Sequence, residues 1–592
     1  MDCDINSILI TDCGSTTTKA ILLLKKGDNS WYMVARGEAP TTVESPFDDV
    51  TIGVINSVLE LEVLTSKKIV DQESNTLIIP EKDGIGVDIY LSTSSAGGGL
   101  QMTAAGVVSS MSAESAKRAS LGAGAIIIDT VSVDDGRKTF EKIEKLRKTR
   151  PDMILMSGGT DGGTKRHLLE LAEIILASDP KPRLGNNLKM PVIYAGNKDA
   201  REDVEKILGE KVDLRFVENI RPTLDRENLD GARNAIHELF LEHVMQQAPG
   251  YKKLISWTSA DIMSTPNAFG NIIQGYANIE NKNVLAVDIG GATTDIFSVF
   301  NSTYTRTVSA NLGMSYSIGN VLFEAGVSNI ERHLPFEINH EYLRNTIRNK
   351  MIRPTIIPIT IEDLRIEQAV AREALRLSFI HHKSLARSLK GVQTVREMGD
   401  IMDQKNTGET IIKMNDLGVI IGSGGVLSHA PRRGETALML VDAFFPEGVT
   451  LLAVDSIFMM PHLGVLMGMN TEIATEVFEK DCLIKLGHVV SPIKSDKTMP
   501  KSGFVTLVIN GDEYKTPYGE ISLIELPKGE YLGKVIPNTR SLDFGAGRGK
   551  TLEVNLISGE VGIIIDLRDR NKIRSYTEVV KDYENMKIDV LD

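Results

Sequence analysis

The sequence predicts an α/β protein made of two related halves, an α/β insertion and a β-rich C-terminal region. Three observations predict it. Two short polar loops match each other, each held between apolar strands. Between residues 113 and 220, β and α patterns alternate. After Cys482 the chain breaks into short strands separated by turn residues.

The matching loops are Asp12-Cys13-Gly14-Ser15-Thr16-Thr17-Thr18-Lys19 and Asp288-Ile289-Gly290-Gly291-Ala292-Thr293-Thr294-Asp295. Asp, Gly, Thr and Thr coincide at equal offsets. Apolar runs flank both loops: Ile8–Thr11 and Ala20–Leu24 in the first, Val284–Val287 and Ile296–Phe300 in the second. Each therefore reads as strand, tight turn, strand, and the pair as an internal duplication. The residue types suit a phosphate. Gly and Ser let backbone N–H groups turn inward, and Thr hydroxyls add neutral donors. An Asp at the strand end would repel phosphate unless a hard cation lay between. Mg²⁺ keeps waters and uses one or two carboxylates plus substrate phosphates. Two such aspartates facing each other across a cleft suit Mg²⁺·ATP. Lys19 can neutralise charge on the β- and γ-phosphates.

A third motif follows in order. Gly422-Ser423-Gly424-Gly425 comes after the strand Val419–Ile421 and before a helical stretch. Close backbone approach at Gly422, Gly424 and Gly425 would let adenosine pack on the glycines.

The remaining elements follow from periodicity. A helix is expected over 49–64 and a strand over 86–93. From Ser115 onward come helix, strand (Ala125–Asp129), helix (Phe140–Arg147), strand (Met153–Met156) and helix (Lys165–Leu176). Then follow strand (Pro191–Ala195), helix (Arg201–Leu208) and strand (Leu214–Val217). This alternation implies a parallel sheet covered by helices. Helices are expected over Leu229–Gln246 and Ile361–Leu389. Asn510-Gly511 marks a hairpin. The resulting division is 1–112 with 221–280 as the first half, 113–220 as the insertion, 281–481 as the second half, and 482–592 as the β-rich domain.

Composition sets bounds. The 592 residues are too many for one core. A net charge of −13 argues against a nucleic-acid binder. Cys3, Cys13 and Cys482 share no metal-ligand spacing, so they read as reduced thiols. The N-terminus has no basic start and no long apolar run. The most apolar window, Leu451–Met469, contains Asp455 and His462 and is broken by Pro461. A cytoplasmic protein without membrane association is expected.

These motifs resemble the actin, heat-shock-70 and sugar-kinase ATPase superfamily. Its ribonuclease-H-like halves carry two phosphate hairpins, then a Gly-Gly adenosine motif. Within it the chain resembles the GlmL/MutL-type accessory proteins of adenosylcobalamin-dependent glutamate mutase, over nearly its whole length. The resemblance is carried by Ser94–Leu100, Ser157–Gly163, Tyr194–Asn197, Val287–Asp295, Leu312-Gly313-Met314 and Asp543–Gly547. Members often carry an acidic residue just before Leu-Gly-Met; here Ala310-Asn311 stand there.

The resemblance implies ATP and Mg²⁺ as cofactors, with Asp12 and Asp288 holding Mg²⁺ through water. Gly14, Ser15, Thr16 and Thr17, with Gly290, Gly291, Thr293 and Thr294, would hold phosphates. Gly422, Gly424 and Gly425 would line the adenosine. Asp12, Lys19 and Asp288 would carry the chemistry. It also implies a reactivating ATPase whose partner is an adenosylcobalamin-dependent mutase or aminomutase, opened so that damaged cofactor can leave. The alternatives are a small-molecule kinase of the same superfamily and a nucleotide-dependent filament protein.

Other motifs read as structural. Gly547–Thr551 resembles the end of a P-loop, but Phe544 replaces the first glycine and a strand follows. His237 and His243 fall on different helix faces. His381-His382 reads as a surface pair on a charged helix, and Cys13 as a packed thiol. His462 has Met460 and Val465 where a cobalamin-binding Asp-x-His-x-x-Gly motif needs Asp and Gly, so cobalamin would belong to the partner.

Overall fold

The computed structural model describes residues 5–14, 16–43, 46–95, 100–183, 188–240, 249–388, 410–493, 502–569 and 574–590. Ser15, Cys3, Ala96–Gly99 and His243 lie outside them, as does the end of the helix expected to Gln246. Contacts divide the chain into two units. One runs to Gly275 and takes Met460–Lys480; the other takes Tyr276–Ala386, Ile411–Met459 and the chain from Asp481 onward.

The first unit contains two five-stranded sheets. One has the order Trp31–Pro40, Thr17–Lys25, Ser7–Cys13, Ile89–Ser94, Met263–Ser264. The first three strands pair antiparallel and the last two join in parallel. Ser7–Cys13 is buried along its whole length, as a strand covered on both faces must be. Helix Val50–Thr65 packs on this sheet, started by Asp49, whose side chain accepts from Thr51 N.

The second sheet is the expected parallel one. Its order is Asp213–Phe216, Pro191–Tyr194, Met153–Ser157, Gln101–Gly106, Ile126–Ser132. Counted along the chain this is the doubly wound order 2-1-3-4-5. Helices Thr139–Thr149, Arg166–Ser178 and Arg201–Leu208 alternate with the strands. A core including Leu146, Ile154, Leu171 and Val192 fills the space between. Gln101–Gly106 belongs to this sheet although it precedes residue 113.

The second unit repeats the first arrangement. Thr303–Ser309, Thr294–Phe300, Asn283–Ile289, Leu417–Ser423 and Gly448–Asp455 follow one another with the same antiparallel and parallel pairings. The duplication expected from two hairpins thus extends to two whole sheets. Here Leu483–Ser491, Ile563–Asp566 and Ile521–Ile524 widen the sheet to eight strands.

A further four-stranded sheet holds the hairpin expected at Asn510-Gly511, with φ of 54° and 93°. Both residues take the left-handed conformation that a type I′ turn requires. A helix, Tyr576–Asn585, follows in the region expected to be β-rich, opened by a capping box of Ser575 and Glu578.

The long helix spans Ile361–Leu385, and residue 389 lies outside the described set. His382 is fully buried on it, not on the surface as the sequence suggested. Its ring nitrogens sit 2.8 Å from Thr307 Oγ1 and 2.8 Å from Ser298 Oγ. The helix hides charge by pairing it: Arg365 with Glu435, Arg372 with Asp442, and Glu373 with Arg332 and Arg376. Among the described residues, no helix is long and apolar enough to cross a membrane.

Candidate functional site

The two hairpin turns are built alike. Gly14 N donates to Thr17 O at 3.1 Å, and Gly290 N donates to Thr293 O at 2.9 Å. A Cβ on Gly14 would lie 2.6 Å from Thr17 O, so the turn closes only on glycine. Each turn follows a strand whose penultimate residue is the aspartate, Asp12 or Asp288.

In the first unit Asp12 is 2 % exposed. Its Oδ1 accepts from Thr93 Oγ1 at 2.8 Å and from Thr265 Oγ1 at 2.6 Å. Lys19 lies opposite Asp12 on the neighbouring strand and is half-buried. Thr16 is exposed and Thr17 half-buried. Thr41 braces the turn: its N donates to Thr16 O at 2.9 Å and its hydroxyl to Gly14 O at 2.8 Å.

His462, which the sequence offered only as a failed cobalamin motif, stands in this half site. It is fully buried on helix Met460–Met467, with Nε2 3.3 Å from the carbonyl oxygen of Lys19. Burial pushes its pKa down to about 4, although the Asp12 carboxylate pulls the other way. The same helix presses backbone on backbone against the chain at Ala268: a Cβ on Gly464 would fall 1.7 Å from Ala268 O. Cys13 is fully buried and its thiol is raised to about 12 by burial and by Asp12, which makes it an inert packed group.

In the second unit Asp288 is half-buried and stands in register with Ser423 of the Gly-Ser-Gly-Gly motif. This motif is therefore adjacent to the second hairpin. Gly422 is buried against Leu427 and Leu440. Gly424 has φ of 101°, and a Cβ there would lie 2.2 Å from Ile289 O. Gly425 is exposed, and a Cβ there would meet nothing within 4 Å.

Asp295 stands opposite Asp288, where the first half has Lys19. Burial raises its pKa, against the pull of Arg306, whose Nη2 lies 2.5 Å from Asp295 Oδ1. The Leu312-Gly313-Met314 segment braces this turn. Met314 N donates to Gly290 O at 2.9 Å and Ser315 N to Gly291 O at 2.8 Å. The Thr294 hydroxyl donates to Leu312 O, so that side chain is committed to the scaffold. Gly291 is half-buried, and a Cβ there would lie 2.5 Å from Ser315 Oγ.

The Gly158–Gly163 turn lies where the strand order of the parallel sheet reverses. Its polar groups serve its own neighbours. Asn219 Nδ2 donates to Gly159 O at 3.0 Å and Asp161 Oδ1 at 2.9 Å, and Asn197 Nδ2 to Gly163 O at 3.1 Å. Thr93, Thr265 and Thr41 gave no signal in the sequence, because each meets its hairpin only through the fold.

The chain is similar to several known proteins. Protein MutL of Clostridium tetanomorphum is 28 % identical over 452 residues, covering 73 % of this chain and 88 % of that protein. Among solved structures, the activator of the 2-hydroxyisocaproyl-CoA dehydratase from Clostridium difficile with bound ADPNP aligns with 80 % of this chain and 97 % of its own. It does so at 11 % identity and a TM-score of 0.26. A glycerol dehydratase reactivase aligns with 78 % of this chain and 99 % of its own, at 10 % identity and a TM-score of 0.29. The family model described as MutL protein matches residues 8–482, and the chain belongs to that family.

Proposed function

We propose that this protein is a Mg²⁺-dependent ATPase that reactivates an adenosylcobalamin-dependent mutase or aminomutase by exchanging its damaged cofactor. One observation carries the nucleotide reading: the same glycine-closed turn, Gly14 to Thr17 and Gly290 to Thr293, stands beside a strand-end aspartate in two sheets that share the order of five strands. Membership of the MutL family supports the accessory role.

In this reading Asp12 and Asp288 hold Mg²⁺ through water, and the ion supplies charge neutralisation at the phosphates. The N–H of Gly291, with the hydroxyls of Thr16, Thr17 and Thr293, contacts the phosphates, while Gly14 and Gly290, whose N–H groups close the two turns, let a phosphate approach bare backbone. Ser15 belongs to the same proposed loop by sequence alone. Thr294 holds the turn in shape through Leu312. Lys19 offsets charge on the leaving phosphate. Gly425, open to solvent, offers the surface for adenosine, and Gly422 and Gly424 set its backbone.

The experiment is a reactivation assay. Mutases from the source genome are inactivated with cyanocobalamin, then given this protein, Mg²⁺·ATP and fresh adenosylcobalamin. Recovery that needs both ATP and Asp12, tested with Asp12→Asn, supports the proposal and names the partner. ATP binding without recovery of any mutase would reject reactivation and move a small-molecule kinase to the front.

A further inference from the structure

Thr93 and Ser423 occupy equivalent places in the two sheets. Each lies on the strand that joins the hairpin strand in parallel, in register with its own aspartate: Thr93 with Asp12, Ser423 with Asp288. Register partners on adjacent strands face the same side of a sheet, so hydroxyl and carboxylate are within reach. In the first half the bond is made, at 2.8 Å. In the second, Ser423 is fully buried and its hydroxyl has no hydrogen-bond partner among the described residues.

A buried hydroxyl left unpaired costs stability, and such a group calls for an explanation. The backbone here is held tightly. Gly424 abuts the carbonyl of Ile289, the residue after Asp288, so the two strand ends touch with no side chain between them. A single rotation about χ1 moves a serine hydroxyl between its staggered positions without moving the strand.

We infer that Ser423 is a positioning residue whose hydroxyl donates to Asp288 when Mg²⁺ and nucleotide occupy the second hairpin. Thr93 makes the corresponding bond to Asp12. The hydroxyl–carboxylate bond of the first hairpin is thus already made, and that of the second forms on loading. This rests on the reading that the second hairpin holds a Mg²⁺–nucleotide complex.

The test uses the full chain with Ser423→Ala, Asp288→Asn and the double variant. Unliganded thermal unfolding is measured, then ATP affinity by calorimetry in Mg²⁺ and in EDTA. Ser423→Ala is expected to unfold no earlier than wild type, because it deletes an unpaired group. It should bind ATP about tenfold more weakly in Mg²⁺, and as wild type does in EDTA. In the Asp288→Asn background Ser423→Ala should cause no further loss. Equal loss in Mg²⁺ and EDTA, an undiminished loss in the Asp288→Asn background, or no loss at all would overturn the inference. A wild-type protein that binds no ATP in Mg²⁺ would instead reject the nucleotide reading beneath it.

Discussion

Asp12 and Thr93 lie opposite each other on parallel strands, and the Thr93 hydroxyl donates to Asp12 Oδ1 at 2.8 Å. Thr265, far along the chain, donates to the same oxygen at 2.6 Å. A carboxylate only 2 % exposed is costly unless donors replace its water. Hydrogen bonds to a charged group contribute about 1.5–3 kcal/mol each, so Thr93→Val and Thr265→Val should each lower stability by about that amount. Thr93→Ser, which keeps the hydroxyl, should lose less. Urea unfolding of the three variants measures this. A Thr93→Val midpoint equal to that of wild type would show that the bond does not stabilise the fold.

Acid should weaken the fold, and the sign follows from its buried histidines. Burial holds His382 down to about 3, helped by the nearby His381 and Lys383, and holds His462 and His488 down to about 4. All three lie below the ordinary value of 6.5, so the fold favours their neutral form. Their contribution is complete above about pH 6.5 and is lost as pH falls toward about 4 and below. Asp582 opposes this. Burial raises it from 3.8 to about 6, so its contribution is complete below 3.8 and lost as pH rises through about 6. Asp295, also raised by burial, acts with Asp582, while His237 and His333, also lowered by burial, act with the other three histidines, so five histidines stand against two aspartates. Denaturation midpoints should therefore fall between about pH 7 and pH 4.5, and His382→Gln should flatten that slope. A slope unchanged by His382→Gln would mean that His382 is not among the groups responsible.

What the sequence disclosed depended on how local the cause was. The hairpin turns were legible because a tight turn that points N–H groups inward admits only small residues, and both copies show them at equal spacing. Asn510-Gly511 was legible for a similar reason, since both positions need positive φ. His382 was not. Its helix is rich in Arg and Glu, which suggests a solvated face, yet these charges are buried against partners from other elements: Glu435, Asp442 and Arg332. Pairing removes the link between charge and exposure on which the pattern relies. Thr265 was hidden by distance along the chain. The C-terminal helix did carry a local sign, Ser575-x-x-Glu578, which the strand-rich texture before it outweighed.

The two adjacent glycines Gly424 and Gly425 separate structure from ligand contact. At Gly424 a side chain meets two obstacles: a φ of 101° and the carbonyl oxygen of Ile289 2.2 Å from the new Cβ. Backbone cannot step aside as a flexible side chain can, so Gly424→Ala should cost about 2–4 kcal/mol or prevent folding. At Gly425 a Cβ meets nothing within 4 Å, and the residue opens the short helix Gly425–Ser428. Alanine favours a helix there, so Gly425→Ala should leave stability within about 0.5 kcal/mol of wild type or raise it. The same open space is where adenosine would lie on bare backbone, and a methyl group would fill it. Gly425→Ala should therefore weaken nucleotide binding, by about tenfold for a loss near 1.4 kcal/mol, in a protein that melts normally. Calorimetry with ATP beside a melting curve decides the matter: normal melting with normal affinity would take Gly425 off the nucleotide surface.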